Sequence, residues 1–529
     1  MVLGRNLFVK VNTLRASVQW PAGDHPAPEL TGMQRTYLAG SEIPVQAGGA
    51  SAHLYLEMDG CALEPSEFFA QILNVLPEFP ELTEVIVEPG VRGRTEGLNF
   101  ELDVIDVREN DEEEIAAWLN DKRVLETNTG FDCKNELPVR IAVTLLPHGR
   151  HRIHFNVSMV AMNLLGVNRF FSRLSRARKQ QIVPFTVIPA ESFRETANIC
   201  EPRTRSFWAE IPRQDAEKND RHDAKILAAF CSTLAAVTGE LGIVLNIAKL
   251  TVNDESISLF EANLNESEAQ QQVLLEVEES LNRAMVLDDG LVKLRQRREL
   301  HPEKSEVPVV FTPLTHHGDL FCEQVSSYIG ELSWISSQVP NVVIDLQTFW
   351  ENSRLIINWD VRVDLLPAGL AEEMLIDFKN RLVDEIFDSN TNLDCTIPID
   401  QSSLKNKSER WGTVDLASAL RDPTPRDDSS VETLASASLV MVVQIAMGDC
   451  LGIPIEENDN FFQLGGDSLK ATNVASLLRD IFDIPSLGIR ELLRSPTPVG
   501  TAQEIAKCLG DDANEIAELT LKTLESQEV

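Results

Sequence analysis

Apolar and polar side chains alternate most clearly in the stretch HRIHFNVS, residues 151–158. Ile153, Phe155 and Val157 occupy every second position with polar residues between them, which predicts a half-buried strand with one polar face. From about residue 28 to residue 400, apolar helical stretches alternate with short β-rich runs, without an internal repeat. This pattern predicts an α/β domain built from mixed layers of helices and strands.

A helical period follows the sequence LGGDS, residues 464–468. The repeating apolar positions are Ala471, Val474, Ala475, Leu478, Ile481 and Phe482. Asp467 is the predicted N-cap, so Ser468 lies in the first turn, and Gly465 and Gly466 permit a tight turn beside it. A helix N-terminus favours a negative group such as a phosphodiester. We therefore expect Ser468 to accept a phosphorylated group, and the alternative is that it only caps the helix.

Proline-containing polar stretches divide the chain into five predicted segments. These are an N-terminal extension (1–27), a large α/β domain (28–401), a linker (402–430), a small helical domain (431–510) and an acidic tail (511–529). The helical domain is expected to begin with a helix that runs to about residue 449, with Ser429 and Glu432 forming a capping box. The tail is predicted to be either a frayed helix, the favoured interpretation, or a docking segment.

Charge and cysteine content exclude several classes of protein. The 529 residues include 47 basic and 82 acidic side chains, a formal net charge of −35, which disfavours nucleic acid and anionic membrane surfaces as partners. The eight cysteines form no C-x-x-C pair and no metal-ligand spacing, as is typical of a reduced, cytoplasmic protein. The charged N-terminus is not expected to be a signal peptide. The apolar run at 437–447 is too short to span a bilayer.

The sequence DNFFQLGGDSLKA, which contains Ser468, resembles the attachment motif of acyl and peptidyl carrier proteins. The resemblance extends from about residue 431 to residue 508. It implies an all-α four-helix carrier domain in which Ser468 receives 4′-phosphopantetheine from a phosphopantetheinyl transferase. The thiol of this group would then hold an acyl or aminoacyl intermediate as a thioester, and Leu469 would contact partner proteins.

Five segments of the large domain resemble the heterocyclisation domains of nonribosomal peptide synthetases, a branch of the condensation-domain family. They are PELTGMQRTYLAG (28–40), GGASAHLYLEMDG (48–60), VPVVFTPL (307–314), SSQVPNVVIDLQTFW (336–350) and LIINWDVRVDLLP (355–367), and they occur in the family's order. The resemblance implies a two-lobed fold of the chloramphenicol-acetyltransferase type. Two carrier arms would enter a tunnel between the lobes from opposite faces.

The chain departs from the family pattern after the alternating strand. Heterocyclisation domains carry D-x-x-x-x-D there, whereas alignment on His154 places Ser158 and Asn163 at the two aspartate positions. Neither side chain takes up a proton near neutral pH, so general-base capacity is lost and amide formation by the usual route is in doubt. His154 could substitute as a base, although a lone strand histidine is more often structural. The THHGD sequence at 315–319 imitates a double-histidine motif without its context and is not expected to act.

A second constellation is intact, because Thr312 and Asp345 match the threonine and aspartate that the family associates with cyclodehydration. Asp345 lies in the apolar run VVIDL, where burial should raise its pKa and suit it to protonate a departing hydroxyl. Thr312 could orient this acid or relay the proton. The alternative is that both residues are structural.

Three functions remain open at this point. The large domain could catalyse cyclodehydration to a thiazoline or oxazoline, in an assembly line of the type often found in siderophore pathways. It could instead be an inactive scaffold beside the carrier, or a condensation catalyst that relies on substrate positioning. The chain has no phosphate-binding loop, adenylation-like segment or G-x-S-x-G motif. We therefore expect a separate adenylation domain to load the carrier and an upstream carrier to deliver the acyl partner.

Overall fold

The computed structural model describes residues 9–17, 30–42, 51–88, 91–93, 99–177, 186–190, 203–212, 222–252, 255–264, 270–286, 293, 307–386, 394–395, 436–457, 459, 461, 468–482, 484, 492, 495–509 and 512–527. The strands are β1 (Lys10–Ser17), β2 (His53–Cys61), β3 (Val85–Glu88), β4 (Val91–Gly93), β5 (Asn99–Asp106), β6 (Val139–Leu145), β7 (Arg150–Ser158), β8 (Thr186–Ala190), β9 (Thr204–Pro212), β10 (Gly242–Leu250), β11 (Glu255–Asn263), β12 (Val309–Pro313), β13 (Glu331–Gln338), β14 (Ile344–Glu351), β15 (Arg354–Arg362) and β16 (Asp394–Cys395). The helices are α1 (Gly32–Glu42), α2 (Pro65–Val75), α3 (Glu112–Asn128), α4 (Leu164–Arg176), α5 (His222–Thr238), α6 (Gln270–Val286), α7 (Glu323–Tyr328), α8 (Leu370–Ile386), α9 (Ala437–Leu451), α10 (Ser468–Phe482), α11 (Pro498–Leu509) and α12 (Asp512–Gln527).

The first lobe is built on a seven-stranded sheet in the order β13-β2-β7-β6-β5-β1-β8. The predicted strand is β7, and its apolar residues Ile153, Phe155 and Val157 are fully buried in a core that also contains residues of α2 and α4. Strand β1 pairs with β5 over its whole length, so the predicted N-terminal extension contributes a strand to this lobe.

The second lobe contains another seven-stranded sheet, in the order β11-β10-β12-β14-β15-β9-β16. Strands β10, β12 and β14 run parallel, whereas β14, β15 and β9 are antiparallel. Helices α5, α6 and α8 contribute apolar residues to the core of this lobe. Strand β13 crosses to the first sheet and pairs there with β2, so a segment between two strands of the second sheet contributes a strand to the first lobe.

The C-terminal helices α9 to α12 share a separate apolar core. Helix α9 begins after Ser436, whose side chain accepts a hydrogen bond from Leu439 N at 3.2 Å and is therefore its N-cap. The predicted cap at Ser429 and Glu432 is wrong, because the helix begins later; those two residues lie outside the described ranges. Ala513 and Ala517 of α12 are fully buried in this core, so the predicted acidic tail completes the helical domain. In the described part of the chain, no helix is both long and apolar enough to cross a bilayer.

Candidate functional site

The side chains of Thr312 and Asp345 meet on the second sheet, where β12 and β14 are parallel neighbours. Thr312 pairs in register with Gln347, two residues after Asp345, so both side chains lie on the same face. The Thr312 hydroxyl donates to Asp345 Oδ1 at 3.3 Å, and both residues are only 7% exposed. Burial raises the pKa of the Asp345 carboxyl, in the predicted direction, against the opposing effect of hydrogen bonds from Ser337, Gln347 and Thr312.

A second carboxyl, Asp360 on β15, lies directly opposite Asp345 in the antiparallel register. Ser337 Oγ is 2.7 Å from Asp345 Oδ2 and 3.1 Å from Asp360 Oδ2. Gln347 Nε2 also contacts both, at 2.7 and 3.3 Å. Burial, followed by the charge of Asp345, raises the pKa of Asp360 to about 7. Sequence reasoning missed Asp360, Ser337 and Gln347, although their polar positions on otherwise apolar strands were a usable signal.

Two hydrogen-bond acceptors beside these carboxyls have no partner among the described residues. Gln347 Oε1 and Asn358 Oδ1 are buried and make no hydrogen bond within the described part of the chain. Gln347 lies next to Asp345, and Asn358 Nδ2 donates to Asp360 Oδ2 at 3.0 Å. Because buried acceptors without partners are costly, this site has spare capacity for water or for the N–H groups of a bound molecule.

Ser158 and Asn163, the two residues that we expect at the motif aspartate positions, make structural contacts. Ser158 is fully buried at the end of β7, where its Oγ accepts from Val160 N at 3.2 Å and lies 3.3 Å from Cys133 Sγ. Asn163 is the N-cap of α4, and its Oδ1 accepts from Gly166 N at 3.0 Å. Asn163 Nδ2 donates to Thr251 O at 2.8 Å, which links the start of α4 in the first lobe to the end of β10 in the second.

His154 lies on the polar face of β7 inside a buried hydrogen-bond network. The Tyr55 hydroxyl donates to Glu57 Oε1 at 2.9 Å, so its oxygen is left to accept from His154 Nδ1 at 2.7 Å. His154 Nε2 then accepts from Thr144 Oγ1 at 2.9 Å. Burial, then the charges of Lys122 and two arginines, lowers the pKa of His154 well below its usual value. A neutral imidazole with both nitrogens bonded favours a structural role over that of a base.

A small cavity of about 250 Å³ lies beside Asn163. Its lining includes Asn163, Tyr37 and Glu255, and the Tyr37 hydroxyl donates to Glu255 Oε1 at 2.6 Å. Burial raises the pKa of Tyr37 well above its usual value, and the charges of Glu255 and Asp345 act in the same direction. Asp345 is thus close enough to Tyr37 for electrostatic interaction.

A larger cavity of about 630 Å³ lies between the lobes. Helix α4 of the first lobe lines it with Arg169, Arg173 and Arg176, and the second lobe contributes the ends of β10 and β12. Arg173 pairs with Glu78 through two bonds, whereas Arg176 is exposed. His317 of the THHGD sequence lies on the cavity wall. Among the described residues, no group of three or more His, Cys, Asp and Glu side chains is arranged to hold a metal ion.

Helix α10 begins at Ser468 and has 15 residues, which agrees with the predicted placement of this serine in the first turn. The described residues do not include Gly465, Gly466 or the predicted N-cap Asp467. The start of a helix of this length offers unpaired backbone N–H groups and the positive end of the helix dipole, which fits a phosphodiester on Ser468. Helix α10 lies next to α1, the helix that carries Tyr37.

Two comparisons relate the chain to known sequences. Residues 442–505 match the family model "Phosphopantetheine attachment site", which confirms the predicted carrier domain with its covalent 4′-phosphopantetheine. The chain is also similar to phenyloxazoline synthase MbtB. Identity is 24% over 411 residues with the Mycobacterium sp. (strain MCS) protein, covering 67% of this chain and 35% of that one. Identity with the Mycobacterium tuberculosis (strain ATCC 25618 / H37Rv) protein is 24% over 412 residues, which cover 65% of this chain and 29% of that protein. The chain thus spans about a third of the length of these relatives.

Solved structures show the fold of the large domain. The cyclization-docking bidomain of the nonribosomal peptide synthetase EpoB from Sorangium cellulosum superimposes with a TM-score of 0.54 at 17% identity, covering 69% of this chain and 88% of that one. The nonribosomal peptide synthetase FmoA3 gives a TM-score of 0.52 at 16% identity, covering 70% and 46%. The two-lobed condensation-type fold predicted from the sequence is therefore confirmed, together with the small helical carrier domain.

Proposed function

We propose that this chain is part of a nonribosomal peptide assembly line and that its large domain closes a thiazoline or oxazoline ring by cyclodehydration. The observation that carries the proposal is the hydrogen bond from Thr312 to the buried carboxyl of Asp345. The carrier domain holds the substrate on 4′-phosphopantetheine attached to Ser468. The similarity to proteins named phenyloxazoline synthases supports this reaction class, and a siderophore-type product fits it.

Cyclodehydration requires an acid. A cysteine, serine or threonine side chain adds to the preceding amide carbonyl carbon, and the ring that forms bears a hydroxyl group on that carbon. Protonated Asp345 gives its proton to this hydroxyl, the C–O bond breaks, and water leaves as the C=N bond forms. The ring nitrogen then returns its own proton to the Asp345 carboxylate, so the acid is regenerated. Thr312 holds the carboxyl in position for both transfers.

The cavity between the lobes is the proposed path for the arm of an upstream carrier. The exposed Arg176 places positive charge on one wall, which suits the phosphodiester of such an arm, while Arg169 and Arg173 beside it pair with Glu81 and Glu78. A phosphopantetheinyl transferase modifies Ser468, and a separate adenylation domain loads the carrier. These partners are proposals that follow from the carrier domain and from the resemblance to synthetases.

The contacts of Ser158 and Asn163 favour one alternative, a large domain that acts only as a scaffold. Both side chains stabilise the junction of β7 and α4, and neither supplies a charge. An amide-forming condensation activity is less well supported. Both ring nitrogens of the neutral His154 side chain are occupied by hydrogen bonds, so it is not placed to act as a base. The buried acid site on the second sheet favours cyclodehydration over both.

An intact-mass experiment on the carrier tests the proposal. The full chain is converted to its holo form with coenzyme A and a promiscuous pantetheinyl transferase; Ser468→Ala should stay unlabelled, and Ser476→Ala on the same helix should label normally. The holo protein is then loaded with a preformed amide of cysteine or serine. Loss of one water that Asp345→Asn abolishes supports cyclodehydration. An unchanged mass in the wild type supports the scaffold, and condensation with an upstream acyl thioester without water loss supports amide formation.

A further inference from the structure

The two carboxyl groups on β14 and β15 lie too close together, and too deeply buried, to ionise independently. Asp345 and Asp360 are directly opposed in the antiparallel register, and they are 7% and 4% exposed. Their Oδ2 atoms both lie within 3.1 Å of the Ser337 hydroxyl, which has one proton and can donate to only one of them. Two like charges directly opposed on neighbouring strands destabilise a sheet, and burial increases the repulsion.

Neutral groups supply the contacts that the structure gives these carboxyls. Asp345 accepts from Thr312, Ser337 and Gln347. Asp360 accepts from Gln347, Asn358, the Ser206 hydroxyl and the backbone N–H of Ser337. Strands β9, β12 and β13 therefore present hydroxyl and amide groups to the pair. From α1, the titratable side chain within electrostatic reach is Tyr37. In the described part of the chain, none of these hydrogen-bond donors carries a positive charge.

We propose that Asp360 is a positioning residue that shares a single proton with Asp345, so that the pair carries one negative charge near neutral pH. Two buried carboxyls in contact commonly divide one proton in this way. Burial, which raises the pKa of both groups, acts in the same direction. Asp360 thus keeps Asp345 available as an acid. This consequence for ring closure rests on the proposed function, whereas the shared proton can be measured without it.

The shared proton predicts two separate steps in the titration of the pair. Infrared spectra of the holo protein should show a protonated carboxyl band that disappears near pH 7. Burial also raises the pKa of Glu351, farther along β14, to about 7, so the titration is made in a Glu351→Gln background. Asp345→Asn and Asp360→Asn should each remove the step near pH 7. If either variant leaves that step in place, the two groups titrate independently and the inference is wrong.

The pH profile of water loss gives a second, kinetic test. In Asp360→Asn the alkaline limb of the pH–rate profile should move to lower pH by about one unit. The reason is that the pKa of Asp345 falls when it no longer has a like charge beside it. Ser206→Ala, a milder change, removes a hydrogen bond that stabilises ionised Asp360, so the limb should move to higher pH. Glu351→Gln alone should leave the profile unchanged. If the pH profiles of both Asp360→Asn and Ser206→Ala are unshifted from that of the wild type, the inference is wrong. If the wild type loses no water, the proposed function fails, and the infrared titration still decides whether the proton is shared.

Discussion

Replacing Asn163 tests the structural role of this side chain, which we expect to occupy a motif aspartate position. Two contacts depend on this side chain: Oδ1 caps α4 through Gly166 N at 3.0 Å, and Nδ2 reaches Thr251 O of the second lobe at 2.8 Å. Ala removes both contacts. Ser keeps a capping oxygen but is too short to reach across to Thr251. Asp keeps the cap and sets a carboxylate oxygen against the Thr251 carbonyl.

The expected magnitudes follow from these two contacts. Loss of an N-cap costs about 1 kcal/mol of folding free energy, and loss of a partly buried hydrogen bond costs about 1 kcal/mol more. Asn163→Ala should therefore destabilise the large domain by about 2 kcal/mol, and Asn163→Ser by about 1 kcal/mol. Asn163→Asp should be at least as destabilising as Ser, because repulsion between two acceptors exceeds the small benefit of a charge at the helix start.

Urea unfolding followed by tryptophan fluorescence measures these differences in the full chain. Six of the seven tryptophans precede residue 402, Trp411 lies in the predicted linker, and the carrier domain has none, so the signal reports mainly the large domain. Circular dichroism confirms that each variant is folded before titration. If Asn163→Asp is as stable as the wild type, the bond to Thr251 contributes nothing and the reasoning is refuted. If Ser is as destabilising as Ala, the cap is not the source of the difference.

Four further outcomes are expected. Thr312→Val, which is nearly isosteric, should slow water loss by about 10- to 100-fold by intact mass, without changing phosphopantetheine labelling. His154→Gln should weaken the acid sensitivity of unfolding. Because the pKa of buried His154 is lowered, its contribution to stability is present above the pKa of an unfolded histidine, about 6.5, and is lost as the pH falls below that value. Asp360→Asn should raise the urea midpoint relative to wild type above pH 7, with the gain shrinking toward pH 5, because a raised carboxyl pKa destabilises the fold as the pH rises. Arg176→Glu should weaken binding of an upstream holo carrier by about tenfold in low salt and much less in high salt.

Local periodicity was sufficient to predict the main elements, because burial on one face determines which side chains alternate. Strand β7 and helix α10 begin and end close to where their apolar positions indicate. The insertion of β13 into the first sheet could not be predicted from local periodicity. It pairs residues 331–338 with residues 53–59, and such distant register depends on tertiary packing rather than on any local pattern. The same reason explains why β1 was assigned to an extension.

The residues of the acid site show the same limit of prediction from local sequence pattern. A lone carboxyl in an apolar run was enough to single out Asp345, since burying a charge without a partner is costly. Asp360 lies in a similar run, LIINWDV, and was not singled out, because its importance depends on being opposite Asp345. Ser337 contributes only because β13 crosses between the lobes. Cross-strand partners of this kind become visible only when the register is known.

The distribution of carboxyl groups bears on which step of the proposed chemistry this domain could support. Amide formation benefits from a base that accepts a proton from the attacking amine, and Ser158 and Asn163 cannot provide one. Dehydration of the ring requires the opposite, a group that still holds a proton near neutral pH. Buried carboxyls opposite each other provide this, because burial and their mutual repulsion disfavour a second negative charge there. Under the proposed function, Asp345 and Asp360 supply the acid for dehydration, whereas Ser158 and Asn163 make the contacts that join β7, α4 and the second lobe.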